Sequence, residues 1–84
     1  MRNEDALLVS EGRTAVKNGR LAAVLQEREL KQADLALVLG VTEAAISRWA
    51  AGLRTPDRAN AIRLARFLRA LSLQGASEVA NGKP

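Results

Sequence analysis

The chain has 84 residues, 48% of them hydrophobic and 26% charged, with 13 basic against 9 acidic side chains and a formal net charge of +4. That length allows a single domain, and that balance belongs to a globular protein rather than a disordered one. The absence of cysteine and histidine excludes a disulfide scaffold, zinc sites built on those ligands and an imidazole general base.

The first residues, 1–12, fit a short N-terminal helix through Asp5-Ala6-Leu7-Leu8-Val9, with Gly12 as its stop. Thr14 is a candidate N-cap for the next helix, in which Val16, Leu21, Val24 and Leu25 recur at helical spacing as far as about Arg28. Gly19 would weaken the middle of that helix by about 1 kcal/mol relative to alanine, so a start near Asn18 or Gly19 is the alternative. Leu30-Lys31 is a break. A second, short helix is predicted over Gln32 to Leu39, ended by Gly40 in the left-handed conformation. Thr42 is placed to cap a third helix from Glu43 to about Ala51, which Gly52 ends. Thr55-Pro56-Asp57 reads as N-cap, N1 and N2 of a fourth helix. Its inner stripe is Ala61, Leu64, Ala65, Leu68 and Leu71, and Gln74-Gly75 is expected to stop it after about Leu73. The tail from Ala76 is small and polar and is expected to be disordered.

No strand alternation is present, so the fold class is all-α, with four core helices and room for a fifth at the N-terminus. The chain divides into an N-terminal segment (1–12), a helical domain (13–74) and a tail (75–84). A chain this short buries only about 60–65% of its unfolded surface, so a partner subunit is expected to add to its stability. The Leu7-Leu8-Val9 run is too short for a signal-peptide core, and no stretch nears the roughly 20 apolar residues of a membrane span. A cytoplasmic, soluble protein is the expectation.

Charge is unevenly placed. Residues 48–69 carry Arg48, Arg54, Arg58, Arg63, Arg66 and Arg69 against Asp57 alone, whereas residues 1–12 carry Arg2 against Glu4, Asp5 and Glu11. Such a basic half suits a polyanion, although net charge alone fits a solvated helix face equally well. Trp49 and Phe67 are the only aromatic residues, too few for a base-stacking platform. Nothing points to an enzyme: the carboxylates are scattered, and there is no phosphate-binding glycine-rich loop ending in lysine. No cofactor, metal or small-molecule effector is expected.

The informative segment is Gln32 to Trp49. Two helices crossing steeply through a short turn need inward apolar residues on the first helix, which Leu35 and Leu39 supply. They need a small residue at the crossing, Ala36, and a residue tolerant of positive φ at the turn, Gly40. An apolar plug follows, Val41, and then inward residues three apart on the second helix, Ile46 and Trp49. The tryptophan is read as core on that spacing.

These residues resemble the Xre/Cro-type helix-turn-helix family of phage repressors and small bacterial regulators, over about Gly19 to Leu71. The resemblance is carried by Leu30, Gln32, Leu35-Ala36, Leu39-Gly40-Val41-Thr42, Ile46-Ser47-Arg48-Trp49, Gly52 and Pro56, and continues through Leu64-Ala65 and Leu68. It implies a lambda-repressor-like bundle of four to five helices. It also implies a sequence-specific regulator of transcription, in the manner of a phage- or plasmid-type repressor that binds a palindromic operator in double-stranded DNA as a homodimer. In that family the third helix enters the major groove. Carried over by position, Glu43, Ala44, Ser47 and Arg48 are the base-reading residues, with Arg48 matched to guanine. Gln32, Thr42, Arg54, Thr55 and Arg58 are the phosphate contacts. Arg63, Arg66 and Arg69 are read as solubilising the outer face of the fourth helix. Phe67, Leu71 and Leu73 are the dimer-interface candidates. Family members often have arginine near Leu25, glycine near Glu29 and glutamate near Ala50, and this chain departs at all three. The same fold also serves antitoxins and modules that bind only proteins, and these are the alternative functions.

Overall fold

The computed structural model describes residues 3–81, which form five helices: α1 (Asn3–Lys17), α2 (Arg20–Glu27), α3 (Gln32–Leu39), α4 (Glu43–Ala50) and α5 (Arg58–Asn81). The fold is an all-α helix-turn-helix bundle, without a strand among the described residues.

Helix α1 runs unbroken through Gly12, which corrects the expected stop at that glycine and the expected cap at Thr14. Its first turn carries Glu4 and Asp5 and its last turn Lys17, the signs that complement a helix dipole. Leu8, Gly12, Ala15 and Val16 recur at helical spacing and form its buried face. Gly12 is there for close approach, not for a turn. A Cβ at that position would overlap the carbonyl oxygen of Ala61 on α5 and lie 2.8 Å from its carbonyl carbon.

The break falls instead at Gly19, whose φ of 83° only glycine adopts at no steric cost. The Asn18 side-chain oxygen accepts from the Arg20 amide at 2.9 Å as α2 begins. This helix buries Leu21 and Leu25 and ends in a Schellman turn, with Leu30 N–H donating to the Leu25 carbonyl (2.8 Å) and Glu29 N–H to that of Gln26 (3.2 Å). The residue that must turn left-handed is Glu29, at φ 54°, the position where the resemblance leads one to expect glycine. The other two departures from the family pattern lie in the core: Leu25 is buried, and Ala50 packs against the same cluster.

Helices α3 and α4 fall where their sequence signals put them. Gly40 (φ 71°) and Gly52 (φ 74°) close the two helices with the same paired main-chain bonds. Thr42 caps α4 by accepting from the Ala45 amide at 3.1 Å. Leu35, Ala36 and Leu39 of α3 meet Ile46 and Trp49 of α4 in a core shared with Leu21, Leu25, Val16, Leu64 and Leu68.

Two expectations for α5 are corrected. The cap is Asp57, whose carboxylate accepts from the Asn60 amide at 3.0 Å, while Pro56 is buried ahead of the helix and Thr55 is exposed. Arg13 holds that entry by donating from Nε to the Pro56 carbonyl at 3.1 Å. At the far end α5 passes through Gln74 and Gly75 to Asn81. A single interior glycine costs a helix only about 1 kcal/mol, which does not force a stop. Residues 75–81, expected in a disordered tail, are therefore helical, and residues 82–84 lie outside the described residues. Ala61, Leu64, Ala65 and Leu68 form the buried stripe, with Leu71 half-buried beyond it.

Candidate nucleic-acid interface

Helix α4 has two chemically distinct faces. Ile46 and Trp49 are buried, which fixes the rotation of the helix about its axis. Glu43, Ala44, Ser47 and Arg48 are consequently turned outward, and all four are exposed together with the cap residue Thr42. The packing of α3 across α4 leaves this outer face uncovered over its whole length. Glu43 in the first turn and Arg48 in the last suit the helix dipole as well as any external partner.

Of the residues expected on phosphate, Gln32 opens α3 and is half-buried, whereas Arg54 and Thr55 are exposed in the α4–α5 loop. Lys31 precedes α3 without a side-chain cap, so the first amides of that helix have no side-chain acceptor from the cap position. Arg58 begins α5 with its guanidinium 3.9 Å from Asp5 of α1, a loose and exposed pair. Among the described residues, Glu43, Arg48 and Arg54 take part in no salt bridge. The structure thus leaves the outward α4 residues and Arg54 exposed, and gives Arg58 a partner on α1.

Of the remaining arginines of α5, Arg66 is exposed and the other two have partners. Arg63 donates to the Asn60 side chain at 3.2 Å. Arg69 makes a two-pronged pair with Glu11 at 2.8 and 3.0 Å. The Arg69 hydrogen bond, reinforced by nearby cationic charge, holds the Glu11 carboxyl below its ordinary pKa. Arg20 at the start of α2 donates to Ser72 Oγ (3.2 Å) and Arg28, its C-cap, to the Leu71 carbonyl (2.9 Å), so both ends of α2 are tied to α5.

Of the three apolar residues singled out for an interface, Phe67 is half-buried and packs against the core, Leu71 is half-buried, and Leu73 is 72% exposed. Leu73 lines an open groove of about 870 Å³ between α1 and α5, together with Leu7 (64% exposed), Ala15 and Leu68. The groove was not legible in the sequence, because it depends on how α1 lies across α5. Leu53, 79% exposed in the α4–α5 loop, also escaped sequence reasoning. The signal for it was an apolar residue in a Gly-Leu-Arg-Thr loop with no place in any helical stripe. Among the described residues, no helix is long and apolar enough to cross a membrane.

A helix-turn-helix family model matches residues 21–75, which takes in α2 through most of α5. No curated protein and no solved structure matches the chain. The match covers more than half of the chain and contains the α3–α4 pair whose outer face is uncovered. On that ground the chain belongs to the Xre/Cro-type helix-turn-helix family and is a DNA-binding regulator of transcription.

Proposed function

We propose that the chain is a repressor that binds a near-palindromic operator as a homodimer, each copy placing α4 in the major groove of one half-site. The observation that carries this reading is the outer face of α4, with Glu43, Ala44, Ser47 and Arg48 exposed and Arg48 and Arg54 outside any salt bridge. An arginine so placed can donate in bidentate fashion to guanine O6 and N7, a glutamate can accept from cytosine N4, and an alanine methyl can lie against thymine. Gln32, Thr42, Arg54, Thr55 and Arg58 are assigned as the phosphate contacts that set the register of the complex. The first amides of α3 support the same role, since uncapped helix N-termini favour anions.

One small domain spans a single half-site, and two-fold symmetric operators are read by two-fold symmetric proteins with half-sites about one helical turn apart. The second copy is assigned to the apolar candidates Phe67, Leu71 and Leu73 of α5, of which Leu73 lines the groove between α1 and α5 that Leu7 also lines.

Selection of binding sites from random duplex DNA, followed by titration of the winner at two salt concentrations, tests the reading. A two-fold symmetric consensus and a steep loss of affinity with salt are expected, because each phosphate contact releases counterions. An asymmetric consensus bound by a monomer would refute the dimer, and salt-insensitive binding would remove the phosphate contacts.

A further inference from the structure

We propose that Leu53 is a further base-reading residue, one whose side chain lies against the 5-methyl group of a thymine at the edge of the sequence read by α4. The inference rests on the proposed role of α4 and extends its site into the following loop.

Leu53 is 79% exposed, although every other large apolar side chain between Thr42 and Arg58 is turned inward: Ile46, Trp49 and Pro56 are all buried. Its position is fixed rather than floppy. The main-chain N–H of Leu53 donates to the Arg48 carbonyl at 2.9 Å, and Gly52 at φ 74° makes the reversal that brings it there. Leu53 is therefore held one hydrogen bond from the residue assigned to guanine and adjoins Arg54, which is assigned to phosphate. An aliphatic side chain gains nothing from phosphate oxygens. The base-edge group in the major groove that matches it is the thymine methyl, which marks one base pair out of the four orientations. Desolvating leucine against that methyl removes apolar surface from water on both partners. A cation at this position would add affinity for every duplex, whereas leucine adds it only where thymine stands.

The test uses the full chain and the duplex obtained by selection, with each thymine replaced singly by deoxyuridine, which removes only the methyl group. Wild type, Leu53→Ala and Leu37→Ala are titrated against the set. Leu37, 81% exposed on α3 and outside the α4 surface, is the matched control. Wild type is expected to lose about four- to fifteenfold in affinity at one thymine or its symmetry mate, the worth of one to two buried methylene groups. Leu53→Ala is expected to lose a similar factor on the parent duplex and to be indifferent to that replacement. Its salt dependence stays that of wild type, because no phosphate contact is lost. Leu37→Ala binds as wild type does. Equal sensitivity of wild type and Leu53→Ala at every thymine overturns the inference, as does a Leu53→Ala loss with no uracil-sensitive position, the signature of a sugar contact. Arg48→Ala separates the role of Leu53 from that of α4. If its base preference relaxes while Leu53 shows no methyl dependence, the inference about Leu53 fails alone. If its preference is unchanged, the reading of α4 fails and takes Leu53 with it.

Discussion

Replacing Gly12 by alanine puts the packing of α1 on α5 to a test in which two physical effects have opposite signs. Alanine is the better helix former by about 1 kcal/mol, so a merely interior glycine predicts a gain in stability. The added methyl, however, would overlap the Ala61 carbonyl oxygen and stand 2.8 Å from its carbonyl carbon. Overpacking costs typically about 1–3 kcal/mol, and main chain facing main chain has no rotamer change to relieve it, which places this site near the upper value. The net expectation is a loss of about 2 kcal/mol, the difference between roughly 3 lost to overpacking and 1 gained in propensity. For a domain of this size that lowers the melting temperature by about 10 °C. Urea and thermal unfolding followed by helical circular dichroism measure it directly. A Gly12→Ala protein that melts at or above wild type would refute the close crossing and return Gly12 to an ordinary helical position.

Glu29→Gly is expected to stabilise the fold by about 0.5–1 kcal/mol in the same unfolding assay, because the left-handed φ of 54° strains an L-residue more than glycine's extra chain entropy costs. Thr42→Ala removes the side-chain acceptor for the Ala45 amide and is expected to cost about 1 kcal/mol, with Thr42→Ser restoring most of it. The Glu11 carboxyl is held below its ordinary pKa chiefly by the Arg69 hydrogen bond, so its contribution is complete above the ordinary carboxylate range and fades as pH falls through the lowered folded value. Both partners are largely exposed, so the effect is small and diminishes in salt; Glu11→Gln should flatten that acid limb in low-salt melts, and an unchanged limb would show the pair to be inert. Arg54→Ala is expected to weaken binding to all duplexes alike and to reduce the salt slope by about one, whereas Arg48→Ala relaxes base preference at about 1–3 kcal/mol; exchanged outcomes would exchange their roles.

Local signals make the central part of this protein legible in its sequence. The limits of α3, the cap at Thr42 and the glycine turns at positions 40 and 52 each follow from the chemistry of one or two residues, and apolar spacing alone turns Ile46 and Trp49 inward and Arg48 outward. The glycines mark where local chemistry stops deciding. Gly12, Gly19 and Gly75 are the same residue in sequence, yet one admits a neighbouring backbone, one breaks a helix and one lies inside a helix. Glu29 does a glycine's work with a side chain that gives no hint of it. The difference lies in what stands across from each position: the Ala61 carbonyl opposite Gly12 is 49 residues away in the chain. The tie between Glu11 and Arg69 and the groove between α1 and α5 are likewise properties of distant segments brought together. Sequence determined which helices form and which way the reading helix faces, because those depend on neighbours within a turn or two. Only the tertiary structure decided how α1 lies on α5 and which surfaces stay uncovered, because those depend on side chains and carbonyls that meet only after the chain has folded.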